Sequence, residues 1–303
     1  MRTCTWPRTV SRVAETTGGR PPAGGGDTGD SRCPDGPGEA SATLGDAPVR
    51  RIVVVGRGSR RVELGGPTRI IVPLTGSTPE ELRVECRALD GQPVDLVEWR
   101  VDHLEELGRG ARSDAQLGAV LALLRSACPV PLLATVRTTH EGGHADLDAA
   151  GYARVVTELA RVGADAVDVE YQREGAQELM ETAHAQGAVV IASHHDFAAT
   201  PPEEEIIARL VAMRDMGADV AKVAYRQRDP WDMFPVLNAQ MWARVHLGVP
   251  VIAISMGPAG ALTRIGGESL GSAATFATVG RGSAPGQFSA REVATALEHM
   301  RRP

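Results

Sequence analysis

Eight short apolar runs recur along this chain with amphipathic segments between them, and that alternation leaves few folds open. The runs are Ile70–Leu74, Val94–Val101, Pro131–Val136, Ala166–Glu170, Ala188–Ser193, Val220–Ala224, Val249–Ser255 and Ala274–Val279. Helical patterns fill 78–89, 114–127, 148–162, 173–186, 202–215, 230–245 and 289–300. The Gly-rich link from Ser255 to Ala274 has room only for a brief helix. Strands alternating with helices pair in parallel through right-handed crossovers. Eight such units in roughly 250 residues predict an α/β fold, a closed (β/α)8 TIM barrel. A doubly wound open sheet is the competing arrangement, lowered by the lack of a G-x-G-x-x-G after the first strand.

Ahead of the first run, Ile52–Val55, then Gly-Arg-Gly-Ser, then Arg61–Leu64 reads as a β-hairpin, expected to cap the bottom of the barrel. Residues 1–48 are crowded with Gly, Pro, Ser, Thr and Asp and show no apolar period. Such a segment buries too little apolar surface to offset the entropy of ordering it, so it reads as a disordered extension or an over-long translation start. Residues 49–303 are then the barrel catalytic domain.

A net charge of −6 argues against nucleic acid and against an anionic membrane surface as partners. No stretch of about 18 apolar residues is found, and the N-terminus lacks the apolar core of a signal peptide. The cysteines Cys4, Cys33, Cys86 and Cys128 show no C-x-x-C spacing, so neither a zinc site nor a disulfide framework is indicated. Reduced thiols and a cytoplasmic location are the expectation.

Of the 32 Lys and Arg residues, every one but Lys222 is arginine. Arginine substitutes for lysine in ion pairs and phosphate contacts, but a guanidinium does not give up its proton to become a nucleophile. Lys222 also lies in an apolar run that reads as a buried strand, which points to a Schiff-base lysine. Alternation places further polar groups on the inner face of the barrel. Glu98, Arg100 and Asp102 share one face of the second run, and Thr135 and Arg137 share one of the third. Asp168 and Glu170 share one of the fourth, Ser193 and His195 one of the fifth. Three inward charges on one strand are not packing residues, because a buried charge is costly unless paired. Asp168 and Glu170 are expected as a structural pair for Arg100. His194 points the other way, toward the helices, and is not chosen. The remaining histidines show no H-x-x-x-H or H-E-x-x-H spacing, so no metal site is expected.

These residues resemble a known family, the type I 3-dehydroquinate dehydratases. Glu98-Trp99-Arg100-Val101-Asp102 resembles its E-x-R-x-D strand, and Arg137 to Gly143 its R-T-x-x-E-G-G segment. Ser193-His194-His195-Asp196-Phe197 resembles S-x-H-D-F, and Lys222-Val223-Ala224 the K-[IV]-A strand. Ser255-Met256-Gly257 through Arg264, Gly267-Glu268 and Gly271-Ser272 resembles S-M-G…[ST]-R…G-E…G-S. Ser283 to Gln287 resembles the S-A-P-G-Q loop. Thr263 and Leu270 depart from the usual Ser and Phe. The resemblance covers about Ile70 to the end and implies dehydration of 3-dehydroquinate to 3-dehydroshikimate in the shikimate pathway. Lys222 would form the imine and His195 move protons. Glu141 would tune His195, or else hold a substrate hydroxyl. Glu98, Arg100 and Arg137 would hold ring hydroxyls and keep the pocket field positive. Arg264 would clamp the carboxylate, Ser283 and Gln287 close over it, and Met256 and Phe276 line the ring. No cofactor or metal is implied, and the family often forms homodimers. A class I aldolase and a non-catalytic sensor of quinate-like ligands are the competing functions.

Overall fold

Runs with one apolar face toward helices and a second face toward the axis assemble into a parallel barrel, because both faces must be covered. The computed structural model describes residues 51–105, 107, 114–280 and 287–301, all within a compact unit spanning Gly45–Pro303. The extension expected over 1–48 lies outside the described residues. An antiparallel hairpin, β1 (Val53–Arg57) and β2 (Arg60–Leu64), comes first. Eight parallel strands follow: β3 (Arg69–Leu74), β4 (Leu96–Arg100), β5 (Leu132–Thr135), β6 (Ala166–Glu170), β7 (Val189–Asp196), β8 (Val220–Arg226), β9 (Val251–Met256) and β10 (Ala274–Phe276). The helices between them are α1 (Pro79–Ala88), α2 (Asp114–Ala127), α3 (Ala149–Arg161), α4 (Ala176–Ala185), α5 (Glu203–Asp215) and α6 (Met233–His246). Two brief helices, α7 (Ala261–Ile265) and α8 (Gly267–Leu270), fill the Gly-rich link, and α9 (Ala290–Arg301) closes the series.

Strand order is sequential from β3 to β9, with β10 beside β3. Ala273 joins the two ends: its N–H donates to Val251 O (2.8 Å) and its carbonyl accepts from Arg69 N (3.1 Å). That closure rules out the open doubly wound sheet. Outward residues such as Val97, Trp99, Val101 and Val223 join one large core with the helices. Inward residues at the start of the strands, among them Ile71, Leu96, Leu133, Ile191, Val220 and Ile252, pack on Val53, Val55, Val62 and Leu64 of the hairpin. The hairpin therefore closes the barrel bottom, as expected, and leaves only the opposite end open.

The elements differ from the expected runs mainly at their ends. β7 continues past Ser193 to Asp196, which puts His195 on the strand opposite Ala224. β10 stops at Phe276 rather than Val279; beyond it the chain turns away, and Thr278 bridges Ser289 instead. Cys86 and Cys128, which no sequence spacing links, are buried free thiols with Sγ atoms 3.0 Å apart. No described helix is long and apolar enough to cross a membrane.

Candidate active site

The open end of the barrel carries the polar half of each inward face. A cavity of about 200 Å³ there is lined by Glu98 and Arg100 of β4, Arg137 and Glu141 after β5, His195 of β7 and Lys222 of β8. Met256, Arg264, Phe276 and Gln287 complete the residues expected from the sequence. Ser283 lies outside the described residues. The sequence does not single out His103, His144, Phe197 or Ile254, which also line the cavity. Ile254 was legible in principle, since it shares the parity of Met256. The two histidines meet only through the fold, their rings edge to face at 4.5 Å.

Lys222 points inward and is 4% exposed. Its Nζ lies 3.2 Å from Asp168 Oδ2, 3.7 Å from Glu98 Oε1, and 4.7 Å from the centre of the Phe276 ring. Glu98 also accepts from Thr135 Oγ1 at 2.9 Å.

Arg137 is the hub beneath the cavity. Its Nη1 donates to Glu141 Oε2 (3.1 Å), Glu170 Oε1 (3.1 Å) and Ser193 Oγ (3.0 Å), and its Nη2 to Asp168 Oδ1 (2.8 Å). Burial disfavours its charge, but Asp168, Glu141 and Glu170 outweigh burial and hold the guanidinium above its usual range. Burial likewise opposes ionisation of Asp168, and Arg137 and Lys222 overcome it, so its carboxyl stays well below the usual range. Asp168 and Glu170 thus serve Arg137, not Arg100 as expected. Arg100 instead forms a bidentate pair with Asp102, at 2.9 and 2.8 Å, because the turn Val101–His103 folds Asp102 back beside it.

Glu141 reaches the site through the glycines that follow it. Gly142 has φ +78°, and a Cβ there would lie 2.4 Å from the Phe197 ring; a Cβ on Gly143 would lie 2.1 Å from Arg137 O. Side chains at either position would push the Glu141 turn off the barrel mouth. Glu141 Oε2 accepts from His195 Nδ1 at 2.9 Å and from the His195 backbone N–H at 3.1 Å. Burial disfavours the Glu141 carboxylate, yet the imidazoles of His194 and His195 and the charge of Arg137 bring it down to about 2. An ionised Glu141 accepts a hydrogen bond from Nδ1–H of His195, which keeps the proton on Nδ1 and leaves Nε2 as a base.

Burial, then Arg137 and Lys222, pull His195 down to about 3 against the opposing pull of Glu141. The imidazole is therefore neutral near pH 7. An unfolded histidine titrates near 6.5, so between there and about 3 the unfolded chain binds a proton that the folded chain does not. Stability is full above about pH 6.5 and falls on acidification, by about 1.4 kcal/mol per pH unit for that proton within the window. Glu141 adds its own loss below about 4.5. Urea midpoints for His195→Phe should fall less steeply than wild type between pH 6 and 5; parallel slopes would contradict the assignment.

Arg264 stands apart. It is 2% exposed, faces no carboxylate among the described residues, and its Nε has no hydrogen-bond partner. Burial alone brings it down to about 10, so it stays charged at neutral pH. The cavity field is thus not positive throughout: Arg100, Arg137 and Lys222 each face a carboxylate within 3.2 Å, and Arg264 does not. No group of three or more His, Cys, Asp or Glu residues suited to a metal ion occurs among the described residues.

Residues 70–302 match the family model described as Type I 3-dehydroquinase. The chain belongs to that family. In the type I 3-dehydroquinase family, a 3-dehydroquinate dehydratase of Klebsiella pneumoniae subsp. pneumoniae is 41% identical over 228 residues, covering 74% of this chain and 89% of the relative. One from Listeria monocytogenes serotype 4a is 36% identical over 240 residues, covering 78% and 94%. The solved type I 3-dehydroquinate dehydratase of Clostridium difficile, with covalent modified comenic acid, superposes with a TM-score of 0.76 at 33% identity, covering 83% of this chain and 98% of that one. The Geobacillus kaustophilus 3-dehydroquinate dehydratase gives 0.75 at 32% identity, covering 82% and 96%.

Proposed function

We infer that this chain dehydrates 3-dehydroquinate to 3-dehydroshikimate through an imine on Lys222. The observation that carries the reading is one cavity shared by a buried primary amine, a neutral imidazole and an unpaired buried guanidinium. Arg264 is a buried cation that faces no carboxylate among the described residues, and the substrate carboxylate supplies one. Clamped there, the ring lies between Met256 and Phe276, with its hydroxyls toward Glu98, Arg100 and Arg137, and Gln287 beside it.

Lys222 gives up one proton to His195, the freed amine attacks the ketone carbon, and that proton leaves with the carbinolamine oxygen as water when the protonated imine forms. His195 Nε2 then removes a proton from the α carbon; the freed pair forms a carbon–carbon double bond and the C=N pair moves onto nitrogen. The resulting enamine expels the β-hydroxyl, which takes the proton from His195 and departs as water. Hydrolysis of the conjugated imine returns Lys222 and the enone. Lysine is the electron sink, so the scheme calls for no cofactor or metal. A homodimer and a cytoplasmic location belong to the same reading; the exposed stripe of Phe234, Met241 and Val245 along α6 is a surface suited to self-association.

The test is turnover of 3-dehydroquinate, followed by the absorbance of the conjugated enone; no product sinks the reading. Arg264→Met sharpens it. Loss of the carboxylate clamp should raise KM about 100-fold, the worth of one or two charge-assisted hydrogen bonds. The same change removes an unpaired buried charge, so the melting temperature should rise rather than fall. A variant with lower stability and unchanged KM would make Arg264 a structural residue.

A further inference from the structure

Three donors converge on one oxygen of Glu141 and leave the other to a residue that the S-x-H-D-F pattern does not specify. Oε2 accepts from Arg137 Nη1 and from both Nδ1 and the backbone N–H of His195. Oε1 faces only His194 among the described residues, with Nδ1 3.4 Å away. His194 lies on the outer side of β7, as expected, its ring between those of Tyr171 (centroids 5.8 Å apart) and Tyr225 (5.9 Å).

The setting is costly for a residue that merely fills space. His194 is 8% exposed, and neither ring nitrogen has a hydrogen-bond partner among the described residues. A phenylalanine would occupy the same slot without an unsatisfied polar atom. A second cavity, about 410 Å³, lies beyond Glu141 and is lined by Glu141, Glu170, Arg173, His194 and His195. Glu141 and His195 therefore wall two cavities at once, and the wall has to be held from both sides.

We propose that His194 is a positioning residue for the reaction, fixing the Glu141 carboxylate through Oε1 so that Oε2 keeps His195 in the tautomer and rotation that present Nε2 to the substrate. The inference rests on the reaction assigned above. Rotation about the Cγ–Cδ bond moves both oxygens together, so a contact at Oε1 adds to the restraint that the donors on Oε2 impose. An imidazole N–H facing Oε1 also favours the ionised carboxylate. The other charged or titratable groups at Glu141 are Arg137 after β5, Glu170 of β6 and His195 of β7. Around His194 stand Tyr171 and Tyr225, the latter in contact with Arg209 of α5. Across the outer cavity lie His140, Arg173 and Glu174.

Two variants of the full chain test this. His194→Phe keeps the ring between the tyrosines and removes both nitrogens; His194→Asn restores an N–H near the Nδ1 position. His194→Phe should lower kcat about tenfold with KM within about twofold, a loss confined to the chemical step. Its acid limb of kcat should move to higher pH, because Glu141 is then protonated more easily. His194→Asn should recover kcat to within about threefold of wild type. Wild-type kcat and acid limb in His194→Phe would overturn the proposal. So would equal impairment of both variants with an unmoved acid limb, which marks a packing role. If His194→Phe does not fold, His194→Met takes its place with the same expected outcomes. A wild-type protein without turnover overturns the assigned reaction itself, and this inference with it.

Discussion

Replacing Lys222 by arginine should lower kcat by about 10⁴-fold or more, the scale seen when a covalent nucleophile is removed. The change keeps a positive charge between Asp168 Oδ2 and Glu98 Oε1, so the ion pairs at 3.2 and 3.7 Å have a replacement partner. Asp168 also accepts from Arg137 Nη2 and from Ser193 Oγ at 2.6 Å, which holds it whatever occupies position 222. The barrel should therefore fold with a melting temperature near that of wild type, and the loss is chemical. Reduction with borohydride in the presence of 3-dehydroquinate should add a ligand-sized mass to the peptide bearing residue 222. The composition makes this readout unusually clean, since Lys222 is the sole lysine and the one other primary amine is the chain terminus. An arginine variant retaining more than about one hundredth of the wild-type rate would remove the imine from the mechanism, because losing a covalent nucleophile costs far more than that. A borohydride adduct on any other peptide would do the same.

Much of this architecture is local and was open to reading. Period-two alternation put Glu98 and Arg100 inside and Trp99 outside with no knowledge of neighbours, because a pleated strand faces its side chains alternately. The hairpin was legible for the same reason: Val53, Val55, Val62 and Leu64 carry the apolar face that the barrel bottom needs. Partnerships across strands were not. Arg137 draws its acceptors from its own loop, from β6 and from β7, and only the stagger of a closed barrel brings those atoms within 3.1 Å of one guanidinium. Asp168 and Glu170 were expected beside Arg100; the turn after β4 returns Asp102 to Arg100, and the two carboxylates fall to Arg137 instead. Arg264 was legible as a carboxylate ligand only through the family resemblance, since its lack of a partner is a property of the packed site. The approach of His194 to Glu141 was hidden too: alternation correctly puts the ring outside the barrel, but Glu141 stands at the rim, where inner and outer faces meet.

The hub carries the second large effect. Arg137→Leu should destabilise the protein by about 5 kcal/mol, the upper end for breaking a buried ion pair. The reason is multiplicity. Asp168, Glu141 and Glu170 are each no more than 6% exposed and share this one guanidinium, so its loss takes a cationic partner from three buried carboxylates rather than one. Arg137→Lys should recover only part of the loss, because one ammonium cannot reproduce the two Nη groups that reach four acceptors. The pH dependence separates this account from a simple cavity. Without Arg137, Asp168 and Glu141 lose a charge that holds them down, and Glu170, already raised by burial, rises further, so the penalty is greatest at neutral pH. It lessens as acid neutralises them. The stability difference between wild type and Arg137→Leu should therefore shrink from pH 7.5 to pH 5, whereas the void left by the missing guanidinium costs the same at both. Adding Asp168→Asn to Arg137→Leu should likewise restore stability at neutral pH, although Asp168→Asn alone weakens the wild-type hub. Urea denaturation of the two single variants and the double variant closes that cycle. A difference that stays constant with pH, together with additive losses in the cycle, would mean that the guanidinium fills space and does not hold charge.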